Sequence, residues 1–320
     1  MNSTRSYSAA ASIIAAYSLF SLAAPLTKFL MLRGQDIGIM GGDAISFCNL
    51  LFLGNLAAAC LPLCMLGFGE TRERLRRLSP GGTISLVSTS CLAVFTPAAF
   101  FFAIESTEVT NVIFISRAGP VFYAASASVI TGRMITRSQW WGYGFIVVAI
   151  TVAVFVQNDG ELSRGDGYAL IAAASAALVS LTSYRALDEL GLEAFVLARN
   201  LLSAVGFAAI ALWYFGPTHF GDLVQPPVLV GVSIYGFLVV GLAQLFWYHA
   251  MGLATPRTIG AWSFISPLVA MLATIVLLHE QPSPAQWIAL VIVMLGMAIA
   301  SRSRKRTISP PAEASLAAAH

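Results

Sequence analysis

Charge is what this sequence has least of. Only 10% of its 320 residues are Asp, Glu, Lys or Arg, against about 25% in ordinary soluble domains. Eighteen basic and fifteen acidic side chains cannot coat a water-soluble chain of this length, and a net charge of +3 is too small to mark a nucleic-acid partner. Cysteine is scarce as well. Cys48, Cys60, Cys64 and Cys91 all lie in apolar runs, without a CxxC or a Cys/His metal spacing. This excludes a disulfide scaffold and reads the thiols as small buried hydrophobes. The histidines His219, His249, His279 and His320 are too dispersed to ligate one metal from a single element. No HExxH, GxSxG or GxxxxGK[ST] motif occurs, nor a pair of intramembrane aspartates. The chain is therefore expected to be no enzyme, to hold no cofactor or metal, and to have no ATP site.

What it has in abundance is apolar surface: 58% hydrophobic residues and a mean hydropathy of +0.79. A helical span needs roughly 20 apolar residues. Ten stretches qualify, at residues 8–32, 44–66, 83–103, 109–131, 139–156, 167–187, 192–215, 227–253, 256–278 and 284–301. The first is too long for a signal-peptide core of about 7–15 residues, so it is read as an uncleaved span. The breaks between stretches are too short to hide a soluble domain. The expectation is an all-α integral membrane protein with ten transmembrane helices.

The basic residues set the orientation. Placing both ends in the cytoplasm puts Arg5, the cluster from Arg72 to Arg77, Arg133, Arg137, Arg185, Arg257 and the tail Arg302, Arg304, Lys305 and Arg306 inside. Only Arg33 and Arg164 fall in outer loops, which carry acids instead. The basic clusters read as topology determinants. N- and C-termini are expected to be cytoplasmic, in the inner membrane of a cell, with residues 302–320 forming a basic cytoplasmic tail.

The chain also repeats itself. Residues 100–125 read FFFAIESTEVTNVIFISRAGPVFYAA, and residues 247–272 read WYHAMGLATPRTIGAWSFISPLVAML. Superposing Pro120 on Pro267 also pairs Ser116 with Ser263, Gln139 with Gln286 and Trp140 with Trp287, all at one offset. Two units follow, 8–156 and 167–301. Five spans is an odd number, so the second unit enters from the opposite side, giving two inverted five-helix repeats of the kind on which many alternating-access carriers are built.

An aromatic-rich helix end, a short loop, a helix with Ser-x-x-x-Pro and then a Trp-Gly or Trp-Ile helix, occurring twice, resembles the drug/metabolite transporter superfamily. More narrowly the chain is similar to the EamA-type family over roughly residues 8–300. The most specific part is SFISPLVAMLATIVLLHEQPSPAQWIALVIVMLGMAIA, which starts at Ser263 and includes Glu280. The first copy has Arg133 where that Glu stands in the family. Glu280 sits at a loop edge and reads as orienting a turn. The resemblance implies a carrier of a small organic metabolite, commonly an exporter of amino acids or related compounds. An importer of an aromatic metabolite or vitamin on the same fold, or a channel-like membrane protein, is the alternative. The expected partners are a small-molecule substrate and the lipid bilayer.

Few residues inside the spans can carry chemistry. An arginine at mid-span costs roughly 2.5–3.5 kcal/mol on insertion scales. Arg117 stands about 12 Å into its span, beside Ser116, and Arg199 stands similarly deep. Each reads either as a fixed charge awaiting a carboxylate or phosphate, or as a packing residue bonded to backbone carbonyls. Lys28 lies near a span end and is expected to snorkel. Trp247, Trp262 and Phe264 could stack on cargo beside Ser263, or belong to an interfacial belt. Pro120 and Pro267 each remove a donor mid-helix and free a carbonyl one turn earlier, at Ser116 and Ser263. Both sit beside small-residue stripes and read first as packing, with a gating hinge as the added hypothesis. His249 is the one intramembrane group that titrates near neutral pH, a possible protonation site that also reads as interfacial. No acid falls in the middle of any span.

Overall fold

The computed structural model describes residues 2–35, 46–132, 134–157, 161–216, 220, 221, 223, 225–254, 258, 259 and 262–302. The described chain runs α1 Asn2–Ser21, α2 Ala23–Gln35, α3 Phe47–Arg76, α4 Pro80–Ser106, α5 Val109–Ser116, α6 Gly119–Thr131 and α7 Arg137–Gln157. It continues with α8 Arg164–Thr182, α9 Tyr184–Leu190, α10 Leu192–Tyr214, α11 Pro226–Tyr235, a π-helical turn at Gly236–Leu242, α12 Ala243–Leu253, α13 Ile265–Leu278 and α14 Pro284–Ser301. Among the described residues nine helical stretches are long and apolar enough to cross a membrane. Ile265–Leu278 is a shorter apolar helix in the ninth of the expected positions.

Local sequence explains where the helices begin. Four N–H groups at each start lack intrahelical acceptors, and short polar side chains meet some of them. Ser46 accepts from Asn49 N, and Ser79 accepts from Gly82 N ahead of Pro80. Ser163 with Asp166 and Ser283 with Gln286 form reciprocal capping boxes. Thr136 and Gln139 make the same exchange at α7: Gln139 Oε1 accepts from Thr136 N at 2.9 Å and Thr136 Oγ1 from Gln139 N at 3.4 Å. Gln139 and Gln286, paired by the repeat, thus do the same work at equivalent helix starts. Inside α3, Gly67 takes φ 78° and ψ 160°, which bends the rod where a side chain would be strained.

The packing has a regular order. α7 packs on α14, and α3 on α10. α4 lies against α8, as α12 lies against α1. α3 meets the π-helical turn, as α10 meets α4, and α6 meets α8, as α13 meets α1. Exchanging α1 with α8, α3 with α10, α4 with the π-helical turn and α12, α6 with α13, and α7 with α14 maps this set of contacts onto itself. Glycine permits the closest approaches. A Cβ on Gly142 would stand 2.5 Å from Ala300 N and Gly296 O, and one on Gly236 would stand 2.3 Å from Gly54 O.

Three expectations need correction. Cys48 is buried, but Cys60, Cys64 and Cys91 are exposed on the outside of the bundle; an apolar thiol suits a lipid-facing surface as well as a core. The sixth expected stretch, 167–187, ends as a helix at Thr182, where Ser183 breaks it ahead of α9. The fourth, 109–131, is two helices separated at Arg117 and Ala118, so Pro120 is the second residue of α6 and not a residue of a helix interior. Proline is tolerated there because its missing N–H would have had no acceptor.

Candidate functional site

The break between α5 and α6 builds the site. Arg117 N–H donates to Phe114 O and Ala118 N–H to Ile115 O, both at 2.9 Å, tightening the end of α5 into i→i+3 bonds. α13 starts in a similar way, with Ser266 N–H on Ser263 O at 3.2 Å, and Pro267 is its third residue. The Ser263 carbonyl is therefore not free, contrary to the expectation from Pro267. The two prolines still stand just after chain breaks in matched rods.

Arg117 is clamped from three sides. Its Nε donates to Ile113 O at 3.2 Å and to Ser116 Oγ at 3.3 Å, and its Nη2 donates to Ser116 Oγ at 2.9 Å. Its Nη1 donates to Ser266 Oγ at 2.8 Å, joining α5 to α13. Ser266 Oγ lies 2.8 Å from Ser21 Oγ of α1, which also meets the Tyr17 carbonyl. A guanidinium has five N–H groups. These contacts use the one on Nε and one on each Nη, and leave one N–H on each Nη without a hydrogen-bond partner among the described residues.

Arg117 lines a cavity of about 120 Å³. Its walls are Phe20, Ala24, Phe100, Ile113 and Ala270, with Ser21, Ser116 and Arg117 as the polar lining. Of the residues singled out from sequence, Arg117 and Ser116 line it. Trp247 stands one layer behind, edge-on to Phe20 with centroids 6.4 Å apart and to Tyr17 at 5.6 Å. Trp262 and Phe264 stack on each other at 6.2 Å, and Ser263 is buried, but none of the three lines the cavity. Arg199 lies elsewhere, on α10, its buried Nε without a hydrogen-bond partner among the described residues. His249 is exposed on α12, and Pro120 is exposed while Pro267 is buried. Lys28 Nζ reaches Ile104 O at 3.2 Å, meeting the carbonyl-rich end of α4. Arg133 lies outside the described residues.

Sequence reasoning missed Ser21 and Ser266. The repeat offset leads to Ser263, the counterpart of Ser116, whereas the hydroxyl that meets Arg117 is Ser266, whose counterpart is Gly119. The available signal was a hydroxyl next to proline in an otherwise apolar helix.

Glu280 does orient a turn. It accepts from Thr110 Oγ1 at 2.9 Å and from the backbone of Thr110 and Val109, the first residues of α5. Burial pushes its carboxyl above the usual range; the Glu108 charge adds to this, and the Thr110 hydroxyl opposes it. An acid whose pKa is raised by folding favours the folded state at low pH, and that contribution is lost as pH rises through the raised value. Melting of the detergent-solubilised protein between about pH 4 and pH 8 should therefore show a stability term that declines upward from the ordinary glutamate range. Glu280→Gln should remove that term. Equal pH slopes in the two proteins would count against it.

A model of the EamA-like transporter family matches this chain twice, over residues 9–155 and 163–302. The chain belongs to that family. An uncharacterized transporter of Synechocystis sp. is 29% identical over 291 residues, covering 87% of this chain and 82% of its own length. A solved crystal structure has a TM-score of 0.59 at 18% identity, covering 89% of this chain and 96% of that one. It shares the fold.

Proposed function

We propose that this member of the EamA-like transporter family is an alternating-access carrier, an exporter, of a small carboxylate-bearing organic metabolite, which Arg117 binds. The supporting observation is the pair of unused N–H groups on a guanidinium already fixed by Ser116, Ile113 and Ser266. A carboxylate is the planar two-oxygen acceptor that such a fork fits. In proteoliposomes a carrier accelerates uptake of labelled carboxylate when unlabelled cargo is loaded inside. Linear, non-saturating flux without this counterflow would indicate a channel instead.

The proposal includes ten spans arranged as inverted repeats 8–156 and 167–301, with both ends in the cytoplasm of a cell whose inner membrane holds the protein. The self-mapping packing and the double family match support it, as does the bias of basic residues. In a cysteine-free background, Glu161→Cys should react with an impermeant thiol reagent in intact cells and Arg304→Cys should not. Labelling at 304 would refute this topology. Pro120 and Pro267, each just past a break in matched rods, mark the two gates, one for each side. Alanine at Pro120 and alanine at Pro267 should shift cavity accessibility in opposite directions.

A further inference from the structure

We infer that the cargo is an apolar monocarboxylate without an ammonium group, a 2-oxo acid being the best fit, and not a zwitterionic amino acid. The inference rests on the reading of Arg117 as the carboxylate site and names the substrate class of that site. A 2-amino acid held by its carboxylate puts its ammonium on the next atom, facing the same guanidinium. An ammonium brings three donors and accepts nothing, so it needs acceptors or an acid.

The cavity has almost none to offer. Ser116 Oγ accepts from Arg117 through both Nε and Nη2, and its own proton goes to Ile113 O at 2.7 Å. Ile113 O also takes Arg117 Nε. Ser266 Oγ is occupied by Arg117 Nη1 and Ser21. Ser21 Oγ alone retains acceptor capacity. None of the cavity-lining residues is acidic. A cation placed there would meet a like charge and stay largely unpaired, which is heavily unfavourable in a buried site.

A 2-oxo oxygen suits the same surroundings. It is an acceptor, and it brings no proton that the lining would have to accept. Phe20, Ala24, Phe100 and Ala270 supply an apolar wall for the rest of the molecule, and 120 Å³ admits a small body.

Two matched pairs test this: 3-methyl-2-oxobutanoate against L-valine, and phenylpyruvate against L-phenylalanine. Binding is measured calorimetrically on the solubilised protein, and transport by counterflow in proteoliposomes. The oxo acid of at least one pair should bind about ten-fold or more tightly than its amino acid. Arg117→Ala should abolish oxo-acid binding and Arg117→Lys should retain part of it, which guards against loss of fold in the alanine variant. An amino acid that binds as tightly as its oxo acid, and loses binding in Arg117→Ala, would overturn the inference and leave the carboxylate site standing. Oxo-acid binding unchanged in Arg117→Ala, or no binding by any of the four compounds, would overturn both.

Discussion

Arg117→Ala should lose transport by about a hundred-fold or more while the protein still inserts and purifies normally. Truncating one partner of a buried charge-assisted pair costs about 2–5 kcal/mol, much of it from stranding the other charge. Here the stranded group would be the cargo carboxylate. Insertion should not suffer, because removing a mid-span cation relieves roughly 2.5–3.5 kcal/mol on insertion scales. The Ser116 hydroxyl retains its bond to Ile113 O. Arg117→Lys should recover only part of the rate, since an ammonium cannot hold Ser116, Ser266 and a two-oxygen acceptor in one plane. Counterflow at the native rate in the alanine variant would make the arginine a packing residue.

The second large effect is on folding. Gly142→Ala should lower stability by about 3 kcal/mol, at the upper end for overpacking, because its Cβ would meet backbone atoms of Ala300 and Gly296 at 2.5 Å. Backbone cannot rotate away as a flexible side chain can. Gly144→Ala, two residues along the same helix, meets nothing within 4 Å. It should be neutral or gain about 0.5 kcal/mol from the lost conformational freedom of glycine. Melting temperature and the monodisperse fraction after solubilisation separate the two. Equal behaviour would show that α7 and α14 are free to separate.

The helices were legible because an apolar run of about 20 residues has few alternatives to a membrane helix. The repeat was legible from Pro120, Gln139 and Trp140, and Gln139 and Gln286 turn out to share a capping role. The exact break in the fourth rod was not. Proline signals a disruption but not the residue where the helix ends, and the turn falls at Arg117 and Ala118. Arg117 stood out by its expense in a membrane. Ser21 and Ser266 did not, since a serine carries almost no burial signal and their meeting spans 245 residues of chain. Trp262, Ser263 and Phe264 were conspicuous for the opposite reason, being well marked by the repeat without lining the cavity.

The contact of α7 with α14 has a consequence for how the protein is made. Gly142 leaves the ribosome roughly 150 residues before Gly296, its partner across the bundle. At about 5–20 residues per second this is a wait of about 8–30 s. During that interval α7 has lipid or the insertion machinery against a notch shaped for another backbone. A ribosome stalled or a message cut short before Pro284 therefore leaves a nascent chain that lacks α14 and has an open seam along α7.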